Sequence, residues 1–228
     1  MSDISGLHAL VVGDGDGPER AALDAAWPGW DRGIGSVIAA DGGARLAERL
    51  GWRIDHWIGD GDSLDAASIE RLRGTGIPVD LVPSAKDESD LELAVGLALA
   101  KGATDVTVLG ALGGRRLDHT LANIALLAHP ALASAAARLL DAATRVSLLT
   151  GPAAAVFEGR PGDLVSLLPM SGDAAGITTE GLEYPLHGES LAMGPARGLS
   201  NVRLGPTAAI TLQGGRLLVV EVAATIRP

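Results

Sequence analysis

Two carboxylates stand two residues apart in the stretch HWIGDGDSLD, where Asp60 and Asp62 flank Gly61 and precede Ser63. VVGDGDG adds Asp14 and Asp16, IAADGGA adds Asp41 ahead of Gly42 and Gly43, and PSAKDESD adds Lys86, Asp87, Glu88 and Asp90. Carboxylates gathered at one place raise each other's pKa unless a cation neutralises them. With oxygen ligands the usual neutraliser is Mg²⁺, which normally brings phosphates with it. Lys86 beside Asp87 and Asp90 could then grip phosphate while the acids grip the metal. Structural alternatives stand beside each reading. Glycine–aspartate turns are common, Ser63 can cap a helix starting near Leu64, and Lys86 can form a plain surface salt bridge. Ser89 with Glu92 matches a capping box.

A fifth stretch, GALGGRRLDHTLAN, is glycine-rich. Gly110, Gly113 and Gly114 let backbone amides approach a phosphate at a helix N-terminus, and Arg115 adds charge. A helix through 115–123 would put Arg115, His119 and Asn123 four apart on one stripe. For His119 a hydrogen-bonded capping role beside Asp118 is the alternative. The phosphate-binding pattern G-x-x-x-x-G-K-[ST] is absent, and no G-x-G-x-x-G dinucleotide fingerprint follows the first strand.

These stretches need a scaffold that brings them together. LHALVVG, SVIAADG, DHWIGD, VDLVPS and DVTVLGAL read as strands, and GPERAALDAAW, GARLAERLG, LDAASIERLRG and SDLELAVGLALAKG between them read as helices. That alternation predicts a mostly parallel sheet wrapped by helices, with ligands outside the carboxyl ends of the strands. After RLDHTLANIALLAHPALASAAARLL the texture changes. RVSLLTG, AAVFEG, DLVSLLPM, LEYPL, ESLAMG and AAITLQGGRLLVVEV are short strand-like runs between Gly and Pro. The expectation is an α/β domain over 1–143 and an all-β domain over 144–228. AAITL and RLLVVEV around QGG read as a hairpin.

Composition narrows the function classes. The chain has 228 residues, 47% of them hydrophobic, enough for a sizeable core. It has no cysteine, so any metal uses oxygen or imidazole ligands. Its formal charge of -10 argues against a nucleic-acid surface. The absence of a long apolar run or a signal-like start leads us to expect no membrane span and a cytoplasmic location.

Taken in order, ADGGA, GDGDS, KDESD and GALGGRRLDHTLAN resemble the thiamine pyrophosphokinase family, which transfers a pyrophosphoryl group from ATP to thiamine, giving thiamine diphosphate and AMP. The resemblance extends to GLEYPLHGESLAMGPARGLSN, which is similar to the family's thiamine-binding segment ending in Ser200 and Asn201. It implies a Rossmann-like N-terminal α/β nucleotide-binding domain followed by a C-terminal β-sandwich, in a homodimer with shared active sites. By motif it implies Asp60, Asp62 and Asp90 as catalytic and Mg²⁺-holding groups. Asp41, Gly42, Gly43, Asp60, Ser63, Lys86, Asp87, Gly113, Gly114, Arg115, Asp118, His119 and Asn123 fall to the nucleotide side, and Ser200 and Asn201 to thiamine. Two positions depart from the family pattern. Gly61 stands where an aromatic residue is usual, which predicts a looser loop and a packing gap, and Ser89 stands where threonine is common.

If a ring of the β domain stacks on thiamine, only Phe157 or Tyr184 can supply it. Alternatives are transfer to another alcohol, such as a hydroxymethylpterin, and a non-catalytic nucleotide or thiamine sensor. The matched Ser200–Asn201 segment favours thiamine, and the four retained aspartates disfavour a sensor.

Overall fold

A computed structural model describes residues 6–224, and within it the chain is an α/β protein with five α-helices and many strands. Backbone contacts divide it into two compact units. One comprises Gly29–Asp141 with the N-terminal part up to Arg20, and the other comprises Ala142 onward together with Ala21–Pro28.

In the first unit β1 (Leu7–Val12), β2 (Ile34–Ala40), β3 (His56–Gly59), β4 (Val79–Leu81), β5 (Ala103–Leu109) and β6 (Ala136–Leu140) lie in the order β6-β5-β1-β2-β3-β4. All their pairings are parallel. The central strands are buried on both faces, which is why they read as continuous apolar runs. Their crossovers carry α2 (Gly43–Arg49), α3 (Ala66–Gly74), α4 (Asp90–Ala100) and α5 (Leu117–Leu126). The chain steps outward from β1 to β4 and returns through α4 to β5 on the other side of β1. The loops after β1 and β5 therefore diverge at a topological switch point, where such sheets hold ligands.

β6 has no counterpart among the strand-like runs read from the sequence. Its AARLL segment has no β-branched or aromatic residue, and it is extended through its place in the sheet, where it pairs with β5.

The second unit holds α1 (Arg20–Ala26) from its second residue onward, with Leu23 and Ala26 buried. Its strands are β7 (Thr144–Thr150), β8 (Ala153–Glu158), β9 (Leu164–Pro169), β10 (Ala174–Glu180), β11 (His187–Leu191), β12 (Asn201–Val202), β13 (Thr207–Leu212) and β14 (Arg216–Val222). They lie as β12-β9-β14-β7 and β11-β10-β13-β8, with antiparallel pairings. Val165, Leu167, Leu217 and Val219 from the first set pack with Ile177, Ile210 and Leu212 from the second.

The hairpin expected at QGG is not formed. β13 pairs with β8 and β10, whereas β14 pairs with β7 and β9. The glycine pair is a corner at which the chain changes sheets, and Gly215 takes φ +87° there. Both strands alternate buried and open positions, a pattern that marks one apolar face without saying which strand it faces. LEYPL likewise contributes only an isolated bridge from Leu182 to Arg203.

Candidate active site

Asp41 is the first residue after β2, and its backbone is tied to β3. Its N–H donates to the Ile58 carbonyl at 2.8 Å, and the Asp41 carbonyl accepts from the Trp57 indole at 2.9 Å. The residue sits at φ +45°, a left-handed conformation uncommon outside glycine. Its side chain is only 5% exposed, and Oδ1 accepts no hydrogen bond. Burial raises the carboxyl pKa, a shift opposed by the Ser63 hydroxyl and the Gly42 amide and reinforced by Asp90 and Asp62.

Gly42 and Gly43 are glycines because the chain passes against the end of β1. A Cβ at Gly42 would fall 2.0 Å from Asp14 Oδ1, and one at Gly43 would fall 2.0 Å from the Val12 carbonyl oxygen.

The loop after β3 folds on itself. Asp60 Oδ1 accepts from the Asp62 amide at 3.0 Å, an aspartate turn that Gly61 closes at φ +78°. Ser63 Oγ donates to Asp62 Oδ1 at 3.1 Å. The Asp60 carboxyl is held below its usual range, first by the Asp62 amide and further by Ser84 and Lys86. The helix cap here is Asp65, which accepts from the Ser68 amide at 2.6 Å, so Ser63 is free to serve the carboxylates. Nor is there a gap beside Gly61, since a Cβ there would lie 3.0 Å from Ile69 Cδ1. Its positive φ strains any L side chain in this conformation.

One oxygen from each of Asp41, Asp60 and Asp62 lies within 4.8 Å of the other two. This donor set suits a hard divalent cation, and the unpartnered, buried Asp41 Oδ1 gives it a reason to converge.

Asp90 opens α4 and approaches the group through Lys86. The largely buried Lys86 ammonium is 3.1 Å from Asp90 Oδ1 and 4.0 Å from Asp60 Oδ2. Ser89 caps α4 by accepting from the Glu92 amide at 3.1 Å, while the Glu92 carboxylate faces His129 at 3.7 Å. Asp87 is exposed.

After β5, Gly110, Gly113 and Gly114 all take positive φ. The helix α5 begins at Leu117, so Arg115 precedes it and does not share the stripe of His119 and Asn123. Asp118 pairs with Arg116 at 2.5 Å, which lowers its pKa to about 2. Asn123 Nδ2 donates to the Ala111 carbonyl at 2.9 Å and Thr120 Oγ1 to the Gly113 carbonyl at 3.0 Å, so both brace the glycine loop. His119 is exposed.

In the second unit, Leu167, Tyr184, Leu191, Arg197, Leu199 and Asn201 line a cleft of about 250 Å³. Asn201 turns its amide to the backbone. Its Oδ1 accepts from the amides of Tyr184 at 3.0 Å and Val202 at 2.9 Å, and its Nδ2 donates to the Tyr184 carbonyl at 2.7 Å. Ser200 sits at φ +57°, with its amide donating to Ser166 Oγ at 3.0 Å. Phe157 packs against the core, whereas Tyr184 is 66% exposed in the cleft.

Two contributors escaped the sequence reading. Ser84 helps hold the Asp60 pKa down, and Arg45 reaches the Ser63 carbonyl at 2.8 Å. Neither has a spacing signal, because each acts across loops.

Comparison with known proteins agrees in both units. Residues 34–139 match the model of the thiamin pyrophosphokinase catalytic domain, and residues 156–217 match that of the thiamin pyrophosphokinase vitamin B1 binding domain. A thiamine pyrophosphokinase of Bacillus subtilis (strain 168) is 26% identical over 195 residues, 86% of each chain. A crystal structure of thiamine pyrophosphokinase from Bacillus subtilis superposes with a TM-score of 0.80 at 25% identity, covering 95% of this chain and 99% of that one. The yeast thiamin pyrophosphokinase structure superposes at 0.74 with 15% identity, covering 98% and 89%.

Proposed function

The chain belongs to the thiamine pyrophosphokinase family, and from that membership we infer that it moves a pyrophosphoryl group from ATP to the hydroxyl of thiamine, releasing AMP. The observation that supports this most directly is the convergence of Asp41, Asp60 and Asp62 at the ends of β2 and β3. In our reading the first unit is a Rossmann-like nucleotide domain and the second a β-sandwich that takes thiamine.

Asp41, Asp60 and Asp62 would hold Mg²⁺, with Asp90 close by through Lys86. The ion, when bound, supplies charge neutralisation along the polyphosphate and at the departing AMP. The chain does the rest by placement. Lys86 offers its ammonium to a phosphate oxygen, Gly113 and Gly114 present a glycine loop that phosphate can approach closely, and Arg115 adds positive charge. Gly42 and Gly43 keep the chain clear at the end of β1, Ser63 orders two of the carboxylates, and Asn123 fixes the glycine loop. Asp87, Asp118 and His119 complete the nucleotide side, Asp118 through its pair with Arg116. Asp62 and Asp90 are the candidates to accept the hydroxyl proton. No covalent intermediate is needed, since phosphoryl transfer rests on positioning and electrostatics.

Tyr184 is the ring offered to the cationic thiazolium or the aminopyrimidine. Ser200 and Asn201 act by shaping that cleft, Asn201 through the backbone of Tyr184.

We read the protein as a cytoplasmic homodimer with shared active sites. No helix among the described residues is long and apolar enough to cross a membrane. Supporting a partner, α5 buries none of its own residues, and Leu117 and Leu121 are 70% and 58% exposed.

The test is product analysis by phosphorus NMR after mixing protein, ATP, Mg²⁺ and thiamine. The expected outcome is AMP with thiamine diphosphate, lost in Asp60→Asn and Asp62→Asn. AMP formed only with a hydroxymethylpterin would move the acceptor, and ligand binding without turnover would make the protein a sensor.

A further inference from the structure

How the carboxylate cluster is held at its working separation is a separate question, and its answer rests on the metal-binding reading above. Arg45 projects from α2 and joins loops from two other strands. Its Nη1 donates to the Ser63 carbonyl at 2.8 Å, and its Nη2 lies 3.5 Å from Asp14 Oδ1. Ser63 donates its hydroxyl to Asp62 Oδ1 at 3.1 Å and lies near enough to Asp41 to lower the pKa of that carboxyl. Ser63 is thus gripped at two points, with its hydroxyl among the carboxylates and its carbonyl on the guanidinium. Asp14 in turn rests against Gly42, where no Cβ would fit. One helical turn further on, Arg49 Nη2 donates to the Gly17 carbonyl at 3.0 Å and Nε lies 3.6 Å from Glu19. Arg49 therefore tethers the same β1 loop and makes no hydrogen bond or ion pair with 60–63, so it serves as a control.

We propose that Arg45 is a positioning residue that fixes Ser63 and thereby holds Asp41 and Asp62 at metal-binding separation. A planar guanidinium serves two acceptors in different loops at once, which a lysine ammonium on a flexible stem does not reproduce. The competing description is that Arg45 is only a nearby positive charge. The two differ in sign. Deleting a cation beside a metal site strengthens cation binding, and weakly so here, because the side chain is 57% exposed and screened by salt. Deleting a support of the ligand loop weakens binding, by about tenfold at the lower end of what outer contacts contribute.

The experiment titrates Mn²⁺ alone into the full-length, nucleotide-free protein and reads free Mn²⁺ by electron paramagnetic resonance. Wild type is expected to bind in a manner that Asp60→Asn weakens. Arg45→Gln and Arg45→Lys should raise Kd about tenfold while Arg49→Gln leaves it unchanged. Because Arg45→Lys keeps the charge, its weakening cannot come from charge loss, and it carries the test should Arg45→Gln fold poorly. Unchanged or tighter Mn²⁺ binding in both Arg45 variants overturns the proposal. Wild-type binding indifferent to Asp60→Asn overturns the carboxylate reading itself.

Discussion

Asp41 pays for its position: it is buried, left-handed in backbone and short of a hydrogen bond at Oδ1. Burial lifts its pKa above the usual 3.8, so the folded protein holds the Asp41 proton more tightly than the unfolded chain does. Its contribution to stability is therefore most favourable below pH 3.8 and is lost as pH rises through the folded value. Asp41→Asn removes the charge and suits a left-handed conformation. The metal-free variant is expected to melt ~2–4 °C higher at pH 7 while losing turnover. Its advantage over wild type should shrink as pH falls toward 3.8, which paired thermal melts across pH would show. At the other site, Asn201→Ala frees the Tyr184 backbone. We expect KM for thiamine to rise about tenfold with kcat within about twofold, the signature of lost binding in place of lost transition-state contact. A fall in kcat at unchanged KM would instead place Asn201 at the reacting groups.

Elements obey pairing rules that single residues do not reveal. The QGG corner turns β13 into β14 while sending them to different sheets, and Gly215 meets the Asp173 carbonyl oxygen so closely that a Cβ would stand 2.5 Å from it. Gly215→Ala should cost about 1–3 kcal/mol in urea unfolding, from backbone strain and that contact. Gly214→Ala is the control, because nothing lies within 4 Å of its Cβ position and its φ is not in the left-handed range. Equal losses from the two would refute the corner geometry. Helix α5 shows a similar separation of pattern from partner. Its Leu117, Leu121 and Ile124 recur at helical spacing as one apolar stripe, yet the first two lie open to solvent in the single chain.

For the whole molecule, that open stripe bears on assembly. If it is the dimer face, Leu121→Glu puts a charge where apolar groups would be desolvated, at a cost of several kcal/mol. Sedimentation velocity should then report monomers where wild type gives dimers, with unchanged circular dichroism. A dimeric Leu121→Glu protein would place the interface elsewhere. If active sites are shared, the monomer should also lose turnover.

The sequence by itself determined the chemistry and the gross order of the elements. Acids and glycines recur directly after apolar β-branched runs, so a parallel sheet brings Asp41, Asp60 and Asp62 to one edge, with Asp90 at the start of the helix after β4. The helices α2 to α4 show through their own periodicity and caps, as at Ser89. What only the tertiary structure decided is who touches whom across loops. That Asp41, Asp60 and Asp62 converge while Asp90 reaches them through Lys86, that Arg45 holds Ser63, and that Asn201 serves Tyr184 all depend on side chains far apart in sequence. The same limit explains β6 and the sheet-switching corner. A period-two pattern names a strand's apolar face, but its hydrogen-bonding partner lies along the perpendicular direction, on which local sequence carries no information.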